Sequence, residues 1–148
     1  MVTLIGMGSG KWEALSAQAQ QAVRSAGLVF GAKRLLAGLP PECTARQFAL
    51  YQPADILETL AQNSGQDAAV LYSGDTGFYS GASGLLTPLR ALGIPARVYP
   101  GVSSIQLLSA ALGRPWQDWK LVSAHGCACD PVAECMMNRS VFFLTGGT

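Results

Sequence analysis

The chain has 148 residues, 49% of them hydrophobic and 13% charged, with ten Lys and Arg against nine Asp and Glu and a formal charge of +1. The near-neutral balance gives no electrostatic footprint for nucleic acid, and the apolar share excludes a disordered chain. Every apolar run is much shorter than a bilayer span, which excludes a membrane-embedded protein.

Along the chain, short apolar runs alternate with segments of helical period. Val2 to Ile5 reads as a strand that ends in glycines. Leu15, Ala19, Ala22, Val23 and Ala26 then follow at helical spacing, with Ser16 as N-cap and Gly27 as stop. Leu28 to Phe30 is a second strand, Lys33 to Ala37 a short helix and Arg46 to Ala49 a weak strand. Ile56, Leu57, Leu60 and Ala61 form the next helical stripe, closed near Gly65. Ala68 to Tyr72 is a continuous apolar run, as expected of a strand covered on both faces. Leu85, Leu86, Leu89 and Leu92 give another stripe, stopped by Gly93; Ile94 to Tyr99 is a strand with Pro95 at its start or on an edge. Ser103 caps a helix carrying Ile105, Leu107, Leu108, Ala111 and Leu112, stopped by Gly113. This order predicts an α/β fold: a mostly parallel open sheet with helices on both faces.

A boundary is expected after Gly113. Residues 1–113 form the first α/β domain, 114–118 a polar connector containing Pro115, and 119–148 the opening of a second α/β domain. That opening holds a strand from Lys120 to Ala124, a helix from Pro131 to Asn138 and a strand from Val141 to Leu144. Two strands and a helix are too little for an independent core, so the second domain reads as truncated. The Met1 to Gly6 start shows neither a basic leader nor a cleavage site, so a cytoplasmic location is expected, with the four Cys as free thiols.

Three loops fall directly after predicted strands, where open parallel sheets bind ligands. In the first, Gly6 to Lys11, the dinucleotide fingerprint fails because Lys11 stands at the third glycine position. The phosphate-cradling motif fails because Ile5 and Trp12 occupy its required positions. What remains is a tight turn through Gly8, Ser9 and Gly10 that lets backbone approach a ligand closely. The second loop, Ser73 to Gly81, carries Asp75, which either accepts from a ligand amino group or orders the turn, and Phe78, a core residue or a pocket wall. In the third, Pro100 to Ser104, Ser103 is an N-cap, and free amides at that helix start could hold a polar group.

His125, Cys127, Cys129 and Cys135 lie close together in sequence, but their spacing is not that of a zinc knuckle, and no metal is expected. His125, directly after a strand, is the better functional candidate because its ordinary pKa lies near neutrality.

Taken in order, these segments resemble the tetrapyrrole methylase family. The matching pieces are Val2 to Gly10, Leu28 to Leu36, Ser73 to Tyr79, Tyr99 to Gln106, Leu112 to Asp118 and Val122 to Gly126. The segments at Gly31 to Leu36, Trp116 to Asp118 and His125-Gly126 look like the precorrin branch, the cobalt-precorrin-7 C5-methyltransferases and the N-terminal module of the precorrin-6Y C5,15-methyltransferases.

The resemblance implies S-adenosylmethionine as methyl donor, a precorrin as acceptor, a cleft between two α/β domains, and a homodimer. By position it makes Ser73, Gly74, Asp75, Phe78, Ser103, Ser104 and Leu144 cofactor contacts. It places Gly8, Ser9, Gly10 and His125 on the acceptor side. No catalytic side chain is assigned, because displacement at an activated sulfonium needs alignment above all. Lys33, Arg34, Arg46 and His125 are candidates to meet the acceptor's acetate and propionate groups. The chain departs from the family where Ser9 and Thr76 stand in place of proline, and where Cys127 replaces a basic residue after His125-Gly126. Alternatives are another methylase of the same fold acting on uroporphyrinogen, diphthine or ribosomal RNA, an inactive binding fragment, and a nucleotide-dependent oxidoreductase.

Overall fold

The computed structural model describes residues 1–146; Gly147 and Thr148, the last residues of the expected second domain, lie outside the described residues. The chain divides into two compact units, the first Met1–Ser103 and the second beginning at Ser104. The helix after Ser103 therefore groups with the second unit, and the 114–118 connector lies within it.

The first unit is a five-stranded sheet built from β1 (Val2–Gly6), β2 (Leu28–Phe30), β3 (Arg46–Phe48), β4 (Ala68–Tyr72) and β5 (Ala96–Tyr99), in the order β3-β2-β4-β1-β5. Every pairing is parallel, with Val2 opposite both Ala68 and Ala96, and Leu28 opposite both Ala68 and Arg46. The connection leaving β1 runs toward β2 and that leaving its neighbour β4 runs the other way to β5, and the ends of β4, β1 and β5 lie side by side at the carboxyl edge. This is the topological switch point where open α/β sheets bind ligands.

Side chains alternate along each strand and build two cores. On one face Ile5, Val29, Ala69 and Leu71 pack with Trp12, Leu15, Ala19 and Val23, and with Leu35 and Leu36. These come from a 3-10 turn (Trp12–Ala14), α1 (Ala17–Ser25) and α2 (Lys33–Leu36). On the other face Val2, Leu4, Leu28, Phe30, Ala68 and Val70 pack with Ile56, Leu85 and Leu89 of α3 (Pro53–Gln62) and α4 (Ala82–Ala91). Helices thus cover both faces of the sheet, as the alternating pattern implies.

Local chemistry explains the element ends. The Ser16 hydroxyl accepts the Ala19 N–H at 3.2 Å and caps α1. Pro53 begins α3, where a missing N–H costs nothing. The strand expected from Ile94 starts at Ala96, because Pro95 has no N–H for the ladder; its carbonyl instead accepts from Val2 at 2.9 Å. The 3-10 turn at Trp12 was not expected from the glycine loop that precedes it; Trp12 is buried there and lies under Arg24, 5.2 Å from ring centroid to guanidinium carbon.

The second unit contains α5 (Ser104–Leu112), β6 (Lys120–Ala124), α6 (Pro131–Met137) and β7 (Val141–Thr145). β6 and β7 pair in parallel, Lys120 opposite Val141 and Ala124 opposite Thr145. Asp130 caps α6 by accepting from Val132 and Ala133 at 3.0 and 3.1 Å. No helix among the described residues is long and apolar enough to cross a membrane.

Candidate functional site

The loops after β1, β4 and β5 converge at the carboxyl edge, and they touch backbone to backbone. Met7 N–H donates to the Tyr72 carbonyl at 2.7 Å, continuing the sheet one residue past β1. Gly8 and Gly74 then exchange both hydrogen bonds, 3.0 and 2.9 Å, in an isolated antiparallel bridge. Both glycines have positive φ, +55° and +66°, a region that side-chain-bearing residues rarely enter. A Cβ at Gly6 would lie 2.5 Å from the Gly101 nitrogen, and a Cβ at Gly101 would lie 2.1 Å from the Gly74 oxygen. These distances allow no side chain, so the three loops form one closely packed layer of peptide groups.

Asp75 ties the layer together. One carboxylate oxygen accepts the Gly77 N–H at 2.9 Å, which closes the turn; the other accepts the Gly101 N–H at 3.1 Å, which pins the loop after β5. Of the two roles weighed for Asp75, the geometry favours ordering of the loops, extended from its own turn to its neighbour. Phe78 is half-buried, and its ring meets Tyr79 edge-on at 4.9 Å. Tyr79 is the one described non-glycine residue with positive φ, +46°. Ser103 is 4% exposed, whereas Ser73 and Ser9 are exposed at the loop surface.

A fourth loop, after β2, joins the cluster; the sequence offers Lys33 and Arg34 there as acceptor contacts but does not say that its glycines back the first turn. A Cβ at Gly38 would lie 3.1 Å from the Gly10 oxygen, and one at Gly10 would lie 3.4 Å from Leu35 Cδ2, so α2 backs the first glycine turn. From α2, Arg34 Nη2 donates to Ser73 Oγ at 2.7 Å. The glycines at 10, 31 and 38 were the available signal, but spacing alone does not say which loops meet. Arg46 lies elsewhere: as the first residue of β3 it sits at the amino edge, bonded to Asn63 Oδ1 at 2.7 Å and stacked over Phe48.

In the second unit, His125 and Leu144 lie toward the carboxyl ends of the paired strands β6 and β7. His125 follows β6 directly, is exposed, and has its N–H on Ser123 Oγ at 3.4 Å; a Cβ at Gly146 would lie 2.9 Å from its Nδ1. Leu144, opposite Ser123 in β7, is half-buried, and exposed Ser104 begins α5. All four cysteines are free thiols, and no group of three or more His, Cys, Asp or Glu among the described residues is gathered to hold a metal. Burial pushes the Cys43 thiol up, with Arg24 opposing and Glu42 adding to the effect.

The sequence profile of the Tetrapyrrole (Corrin/Porphyrin) Methylases matches residues 1–146. The chain belongs to the tetrapyrrole methylase family. Within it, the chain is 32% identical over 147 residues to a cobalt-precorrin-7 C(5)-methyltransferase of Salmonella typhimurium, covering 98% of this chain and 71% of that relative. The fold is that of the family's solved structures. A precorrin-6Y methylase of cobalamin biosynthesis from Archaeoglobus fulgidus superposes with a TM-score of 0.70 at 20% identity, over 97% of this chain and 72% of that one. The methyltransferase CobJ superposes with a TM-score of 0.73 at 23% identity, over 92% of this tetrapyrrole methylase and 61% of CobJ.

Proposed function

We propose that the chain is an S-adenosylmethionine-dependent C-methyltransferase that methylates a precorrin at C5 during corrin-ring biosynthesis. The observation that carries this reading is the layer of peptide groups made by Gly6, Gly8, Gly74 and Gly101 at the switch point of the sheet. It is joined by the likeness to a cobalt-precorrin-7 C(5)-methyltransferase along almost the whole chain.

The residues present fit the methyl donor. Apart from its chain neighbours, a Cβ at Gly74 would meet only Ser103 Cα, at 3.9 Å, so this side of the bridge is not filled by the other loops. Ser73, Gly74, Phe78 and Ser103 are the residues of the first unit that would hold the donor. Asp75 serves this site by fixing the turn, and each of its oxygens keeps a lone pair that can accept from the donor's amino group. Gly8, Ser9 and Gly10 present the first turn to the acceptor. When bound, S-adenosylmethionine supplies a sulfonium-activated methyl group. The chain's own task is then orientation: rigid peptide groups hold their positions without reorganising, which is where an alignment-limited displacement gains its rate.

The test is incubation with methyl-tritiated S-adenosylmethionine and a precorrin acceptor. Radiolabel in the macrocycle is the expected result. Donor binding with no transfer to any tetrapyrrole would reduce the chain to a binding module.

A further inference from the structure

We infer that Arg34 and Ser73 together form a carboxylate-binding subsite at the rim of the loop cluster. The inference rests on the methyltransferase reading for the source of the carboxylate; the subsite itself is read from geometry. Arg34 extends from α2, whose Leu35 and Leu36 are buried, so its stem starts from a fixed base. Its head reaches the first residue of the loop after β4, with Nη2 2.7 Å from Ser73 Oγ.

Both residues are exposed, and no carboxylate among the described residues pairs with Arg34. The acid of that same loop, Asp75, already has each oxygen on a backbone N–H. The guanidinium therefore has most of its five donors uncommitted. The serine hydroxyl, having accepted from Arg34, still has its own proton to donate. A planar cationic fork beside a hydroxyl donor matches a carboxylate, which accepts on two oxygens.

Three other arginines of the first unit are engaged elsewhere than at this loop cluster. Arg46 is bonded to Asn63 at the opposite edge of the sheet, Arg24 lies over Trp12, and Arg97 sits beside the Tyr99 hydroxyl on edge strand β5. Two ligands of the proposed reaction carry the required group: the amino-acid end of the methyl donor, and the acetate and propionate arms of the macrocycle. Because Ser73 opens the β4 loop, whichever carboxylate binds is also read by the loop proposed to hold the donor.

Equilibrium titrations of the full chain test this, with three probes: S-adenosylhomocysteine, 5′-methylthioadenosine, which lacks the amino-acid carboxylate, and uroporphyrin, which carries only free-acid arms. Arg34→Met is expected to weaken at least one of the two carboxylate ligands about tenfold, the size of a lost charge-assisted hydrogen bond. Arg34→Lys should restore part of the loss. Methylthioadenosine should be unaffected, and Arg90→Met, an exposed charge on α4, should change nothing. A loss confined to S-adenosylhomocysteine assigns the subsite to the donor, and a loss confined to uroporphyrin assigns it to the macrocycle. Unchanged affinity for both, or an equal loss for methylthioadenosine, overturns the inference. A wild-type chain that takes up none of the three probes overturns the methyltransferase reading and this inference with it.

Discussion

Gly6 and Gly101 show how single residues decide whether this site can exist. Neither needs a left-handed backbone; each is glycine because the neighbouring loop's peptide occupies the volume a methyl group would take. Tyr72, which closes β4 just before Ser73, illustrates a different cost of position. Burial pushes its phenol up from 10.0 to about 12, because the phenolate is poorly solvated there. The unfolded chain releases this proton near its ordinary value while the folded chain retains it, so this group's contribution to stability is complete below pH ~10 and is lost as pH rises toward ~12. An ultraviolet titration should therefore show a late tyrosine step that Tyr72→Phe removes, and the same variant should flatten the alkaline fall in stability between those limits. A titration that Tyr72→Phe changes only near the ordinary value would contradict this account.

At the scale of elements, the loops after β1, β4 and β5 act as one body because hydrogen bonds cross between them. The Gly8–Gly74 bridge joins the first two, and the Asp75 to Gly101 bond joins the third. Asp75→Ala removes both side-chain bonds and frees two amides. A bond from an amide to a charged acceptor contributes about 1.5–3 kcal/mol, so binding of S-adenosylhomocysteine should weaken by about tenfold or more. Faster hydrogen exchange at the Gly77 and Gly101 amides should accompany that loss, which separates loosened loops from a lost direct contact. Unchanged affinity would confine Asp75 to its own turn.

The elements themselves were legible beforehand because period and punctuation agree: Leu28 to Phe30 and Ala68 to Tyr72 are strands over those residues, and Ser16 caps where its position implies. What periodicity does not carry is the meeting of loops distant in sequence. The reach of Arg34 to Ser73 depends on β2 and β4 lying side by side, and the backing of Gly10 by Gly38 joins loops whose strands are separated by β4. The same limit separates Arg34 from Arg46. Both are basic residues beside short elements, yet one follows a strand and the other begins one, which puts them at opposite edges of the sheet.

For the whole molecule, two physical statements stand together. A parallel sheet with both faces covered leaves its carboxyl edge as the place for loops to gather, and the strand order β3-β2-β4-β1-β5 brings three glycine-bearing loops there. The family match extends over residues 1–146, and the chain spans 71% of its Salmonella relative. On this account the first unit provides the peptide layer against which a methyl donor rests. The failed dinucleotide fingerprint at Lys11 argues that the same layer does not take a nicotinamide cofactor. Isothermal titration calorimetry of the wild-type chain, with S-adenosylhomocysteine and with NADH in parallel, tests that claim most directly. The account predicts saturable one-to-one binding of S-adenosylhomocysteine and no heat with NADH; binding of NADH alone, or of neither ligand, would contradict it.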